Sequence, residues 1–155
     1  MWALLSIALL FPEAKLVGET ELTVMWFRIY QAELYTDSGK YTGIEAPLWL
    51  QLTYLRNIKQ SKLLSETQAQ WHDLGLDQQH DLAPWLAELK QLWPSVRKGD
   101  QLLFVMEPKR SLFYLNDKLL GHIDDPAFGA AFAAIWLAPN ANYSKNRLEL
   151  IGAKP

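Results

Sequence analysis

The sequence predicts an α+β domain in which an antiparallel sheet carries helices against one face. Three observations point to it. Two stretches rich in β-branched and aromatic residues, 15–35 and 48–56, come first. Two segments with apolar residues at helical spacing follow, and then three short strand-like runs separated by turn residues. A strongly helical segment from Pro126 and a shorter one from Ser144 close the chain. The order β-β-α-α-β-β-β-α-α groups strands with strands, which favours an antiparallel sheet over alternating βαβ units.

Composition bounds the rest. A chain of 155 residues suits one domain, and a single core of that size buries roughly two-thirds of the unfolded surface. With 50% hydrophobic residues and 7 Trp, it forms a core without staples. It has no cysteine, so disulfides, thiolate catalysis and Cys-ligated zinc or iron–sulfur sites are excluded. The net charge is −2 and Lys and Arg are scattered. Nucleic-acid binding needs clustered positive charge and is not expected.

Residues 1–14 stand apart. Trp2 to Phe11 is an apolar run, too short to span a bilayer, which needs about 20 residues. Its length fits the apolar stretch of an export signal, although no Lys or Arg precedes it. Residues 1–14 are therefore expected to be the remnant of an export signal, placing the protein in the periplasm or outside the cell. The alternatives are an apolar segment that packs on the domain, and a cytoplasmic protein. The folded domain is assigned to 15–155. No other stretch is apolar enough to span a membrane.

Lys15 to Tyr35 reads as one long strand, bent or bulged midway, with both faces apolar around Val24 to Tyr30 and therefore covered on both sides. Asp37-Ser38-Gly39-Lys40 is a turn, and Pro47 opens a second strand, Leu48 to Arg56. Leu63, Leu64, Thr67, Trp71 and Leu74 then recur at helical spacing, with Gly75 suited to the position just past the helix end. Leu82, Trp85, Leu86, Leu89, Leu92 and Trp93 stripe a second helix, which Pro94 stops. Gln101 to Glu107, Ser111 to Leu115 and Lys118 to Ile123 form a meander. Asp125-Pro126 opens a third helix with Asp as N-cap and Pro at its first position. The stripe of that helix is Phe128, Ala131, Phe132, Ile135 and Trp136. A short helix runs from Ser144 to Ile151.

Three segments together resemble the bacterial chalcone isomerase-like family. They are Leu16-Val17-Gly18-Glu19 with Trp26-Phe27-Arg28-Ile29-Tyr30-Gln31-Ala32-Glu33-Leu34-Tyr35; Leu52-Thr53-Tyr54-Leu55-Arg56-Asn57-Ile58; and Phe113 to Gly121 running through Ile123-Asp124-Asp125-Pro126-Ala127-Phe128 to Ile135-Trp136-Leu137. Val96-Arg97-Lys98-Gly99-Asp100 looks like the family's link into the meander. The resemblance covers nearly everything after Ala14. It implies an open-faced β-sandwich, a large antiparallel sheet under a helical layer, with a cleft between them. Its relatives include plant enzymes that close a flavanone ring and plastid proteins that bind fatty acids. The plant enzyme uses an Arg, two Thr, a Tyr and an Asn. Here Arg28 stands where the first catalytic Thr is expected, and the other positions have no recognisable match, so the isomerase activity does not transfer.

The residues, taken with what the resemblance implies, leave three readings open. The leading one is non-catalytic binding of a small amphiphile such as a fatty acid, with no cofactor and no metal. Arg28 shares a strand parity with Val24, Trp26, Tyr30 and Ala32, and a guanidinium on an apolar face must find an anion. That anion is either a ligand carboxylate or an internal acid. Arg56 follows Tyr54 at the same parity and joins Arg28 as a candidate. Tyr30, Tyr54 and Tyr114 are candidate cleft hydroxyls. The second reading is an isomerase or lyase acting on an enone or chalcone-like compound. The third is an interaction module without ligand. His122, Asp124 and Asp125 are not read as a metal site, because capping explains Asp125.

Overall fold

The computed structural model describes residues 7–153. Six strands form one antiparallel sheet in chain order: β1 (Lys15–Val24), β2 (Phe27–Thr36), β3 (Leu48–Tyr54), β4 (Gln101–Met106), β5 (Ser111–Leu115) and β6 (Lys118–Ile123). Four helices, α1 (Gln60–Asp73), α2 (Ala83–Leu92), α3 (Pro126–Leu137) and α4 (Ser144–Leu150), lie against one face. This is the α+β architecture that the sequence predicts. Among the described residues no helix is long and apolar enough to cross a membrane.

Strand alternation decides what each face holds. Ala32, Leu34, Leu50, Leu52, Leu102, Phe104 and Phe113 point to the helices and join Trp71, Leu89, Phe128 and Phe132 in the main core. Tyr35, Trp49, Leu103, Val105 and Leu112 point the other way and are covered by Ile7, Phe11 and Ala14. Residues 7–10 are helical, and the described part of the apolar N-terminal run packs on the sheet. Residues 2–6 of that run lie outside the described residues. The second face also buries a carboxyl group. Glu33 is 6% exposed, the Tyr35 hydroxyl donates to it at 3.2 Å, and burial raises its pKa above the ordinary glutamate value.

Local chemistry accounts for the helix ends. The Asp125 side chain accepts from the Ala127 amide at 2.9 Å, and Pro126 needs no donor of its own. Gly75, just past α1, has φ 75°, a left-handed conformation that a side chain disfavours. α4 lies on β1 because Gly18 has no side chain: a Cβ there would run into the main-chain carbonyl of Glu149.

The long first strand is corrected. Residues 15–36 form a hairpin, with Val24 paired to Phe27 across a two-residue loop of Met25 and Trp26. Neither is a turn residue, so the sequence carries no turn signal there. The expectation that both faces are covered around Val24 to Tyr30 also fails, because Met25, Trp26 and Phe27 are 78%, 88% and 56% exposed.

Candidate functional site

Between the sheet and the helical layer lies a cavity of about 620 Å³, within the usual range of about 300–1,000 Å³ for ligand pockets. Its floor is β1 to β4: Leu22, Val24, Ile29, Leu52 and Leu102. α1 forms one wall, with Leu63 and Thr67. Phe132, Ile135 and Trp136 of α3 and Leu150 of α4 form the other. Most of this lining is apolar.

Several polar groups also reach the lining. Tyr30 and Tyr54 pair directly across β2 and β3, with ring centroids 6.0 Å apart at 81°. The Trp136 indole N–H donates to the Tyr30 hydroxyl at 2.8 Å, leaving that hydroxyl's own proton free to donate. Burial raises the pKa of both tyrosines well above the ordinary value. Both are therefore neutral hydroxyls at physiological pH and cannot serve as bases there. Trp93, another lining residue, has a buried indole N–H without a partner among the described residues.

Thr20, Asn146 and Arg147 also reach the lining; Thr20 and Asn146 are bound to neighbours, whereas Arg147 is bound through Nε alone. The Thr20 hydroxyl donates to Glu149 at 2.5 Å and accepts from Asn146 Nδ2 at 2.7 Å. Arg147 Nε donates to the Leu137 carbonyl at 2.8 Å. At the end of the cavity where β3 runs into α1, the lining includes Arg56, Lys59 and Lys62. Lys62 is paired with Glu66 at 2.9 Å. Arg56 and Lys59 are exposed and take part in no ion pair among the described residues. The Arg56 guanidinium is held 4.6 Å from the Phe27 ring centroid, a cation–π contact that fixes it at the rim.

A family model described as chalcone isomerase-like matches residues 15–152. The chain belongs to the chalcone isomerase-like family. A relative from Haemophilus influenzae, named an uncharacterised protein, is 32% identical over 136 residues, covering 88% of this chain and 67% of the relative. A fatty-acid binding protein of Arabidopsis thaliana has the same fold, with a TM-score of 0.72 over 90% of this chain and 87% of that one, at 10% identity.

Within this chalcone isomerase-like fold the sequence-predicted residues separate. Tyr30, Tyr54 and Arg56 come together in the cavity lining. Arg28 does not. β2 carries one extra residue opposite Leu22 and Thr23, so Ile29 and Tyr30 both line the cavity and Arg28 is turned away. It lies 61% exposed, donating from Nε and a terminal nitrogen to both carboxylate oxygens of Glu21 at 2.8 Å. The parity that put Arg28 beside Tyr30 is broken by that bulge. Tyr114 is also outside the lining. It pairs with Leu103 on the opposite face, with its ring 5.8 Å from Phe11. Lys59, Asn146, Arg147 and Trp136 were not among the candidates. Of these, Trp136 carries a usable signal, its place on the apolar stripe of α3.

Proposed function

We propose that the cavity holds a small amphiphile with an apolar tail and a carboxylate, a fatty acid or a close analogue, without transforming it. The observation that carries this reading is an apolar-floored space of about 620 Å³ with Arg56 and Lys59, cations in no ion pair among the described residues, at one end. The tail lies along Leu22, Leu52, Leu102 and Ile135. The carboxylate sits at Arg56 and Lys59, where Arg binds it in fork geometry. Tyr30 and Tyr54 offer neutral hydroxyl donors beside it. Arg28 has no part, since Glu21 already satisfies it. Support also comes from the shared fold with an Arabidopsis protein named for fatty-acid binding.

Native mass spectrometry of the purified protein, followed by denaturing extraction, tests this. A stoichiometric amphiphilic acid is expected, in reduced amount from an Ile135→Trp variant whose indole narrows the space. An Ile135→Trp variant that carries the same acid in the same amount would contradict the site. Arg56→Ala is expected to weaken hexadecanoate about fivefold and leave hexadecanol unchanged, the scale of one exposed charge pair. If Arg147→Ala produces that difference and Arg56→Ala does not, the carboxylate lies at the opposite end.

A further inference from the structure

The tip of the β1–β2 hairpin presents three consecutive large apolar side chains, Met25, Trp26 and Phe27, to solvent. Turn chemistry gives no reason for them. Met25 takes φ 59° in a two-residue loop, a position where glycine fits and a side chain is disfavoured. Apolar bulk is thus kept at the most exposed point of the hairpin against local preference.

The tip has charged company. The Ile58–Val96 bridge sets 56–59 beside 96–98, and the Lys98 amide donates to Asn57 Oδ1 at 2.9 Å. Tyr30 pairs with Tyr54, so these segments and the hairpin tip share one end of the sheet. Arg56, Lys59, Arg97 and Lys98 are exposed there and take part in no ion pair among the described residues. The whole chain has a net charge of −2, so this end is positive against an acidic remainder. Val24 and Ile29, which flank the tip, line the cavity.

Trp and Phe beside Lys and Arg is the composition that settles at the headgroup boundary of a bilayer. Anionic headgroups attract each nearby cation. A protein partner is a poorer fit, because three side chains at a hairpin tip cannot supply the roughly 800 Å² per side of a stable interface. We propose that Met25, Trp26 and Phe27 insert into the interfacial zone of an anionic lipid surface, with Arg56, Lys59, Arg97 and Lys98 against its headgroups. The cavity end beside Val24 then faces the membrane, and an amphiphile passes between bilayer and cavity without crossing bulk water. Transfer rests on the ligand reading above; docking does not.

Co-sedimentation of the full chain with vesicles separates the two. Binding is expected to equimolar phosphatidylcholine–phosphatidylglycerol vesicles, weaker binding to phosphatidylcholine alone, and release by high salt. Met25→Gly with Trp26→Ser places a favoured Gly-Ser pair in the loop, so its melting temperature is expected to hold while partitioning falls about 30-fold. Lys59→Glu with Lys98→Glu is expected to reduce binding to the anionic vesicles only. No sedimentation with either vesicle, or wild-type partitioning by the Met25→Gly, Trp26→Ser variant, would overturn docking and leave the cavity reading intact. Self-association by the wild type, lost in that variant and with no vesicle binding, would assign the tip to a second copy of the chain.

Discussion

The layer between sheet and helices is filled on one side and hollow on the other. Under α2 and α3, Trp71, Trp85, Trp93, Phe104, Phe113, Phe128 and Phe132 pack ring to ring, with centroids 4.8 to 6.2 Å apart. Between β1–β3, α1 and α4 the same layer encloses the cavity. The difference lies in the side chains that face inward. Where α3 presents Phe128 to Trp71, Trp85 and Phe113, the space closes. Where α1 presents Ser61 and Thr67, and α4 presents Asn146, the side chains are short or tied to neighbours and leave room. The fold's stability is thus concentrated in one half, and its capacity for a ligand in the other.

Truncation in each half tests that division. Trp71 is fully buried, and its indole N–H donates to the Ala131 carbonyl at 2.9 Å. Trp71→Ala is expected to cost about 4 kcal/mol in denaturant unfolding. Leu22→Ala, at the cavity floor, is expected to cost only about 1 kcal/mol, because its neighbours on one side are already empty space. Equal costs would mean that the cavity collapses in solution.

Gly18→Ala falls between those two. The added Cβ meets the Glu149 carbonyl and displaces α4, which carries Asn146, Arg147 and Leu150 of the cavity wall. A loss of about 2 kcal/mol is expected, the scale of overpacking, with ligand affinity falling alongside. Unchanged affinity would detach α4 from the site.

The smallest effect belongs to the opposite face. Glu33 is buried with its pKa raised, so its ionised form destabilises the fold at neutral pH. Glu33→Gln is expected to raise the melting temperature at pH 7. The gain should shrink as pH falls through the raised folded pKa and vanish below the ordinary glutamate value, where both forms are uncharged. A gain that persists at low pH would place its cause outside ionisation.

Much of the scaffold was legible in the sequence. Period-2 runs gave β3 to β6 within two residues, and Asp125-Pro126 marked the start of α3 because both residues do what their chemistry favours there. Tyr54 and Arg56 shared a parity and share the cavity lining. The first hairpin was illegible, since Met25-Trp26 carries no turn signature. A bulge is expected midway along 15–35, but no local signal places it at Ile29, and that placement reverses Arg28. Parity could not say which face the helices take, which is how Tyr114 went to the wrong side. The cavity itself depends on what two distant helices, α1 and α4, fail to fill, and no local pattern records that.

The most direct measurement is calorimetric titration of delipidated protein with a series of saturated fatty acids of increasing chain length. If the hollow half holds the tail, affinity rises by about fourfold per added methylene until the cavity is full, then levels off. Affinity independent of chain length, or the same rise in the Ile135→Trp variant, would contradict a ligand buried between sheet and helices.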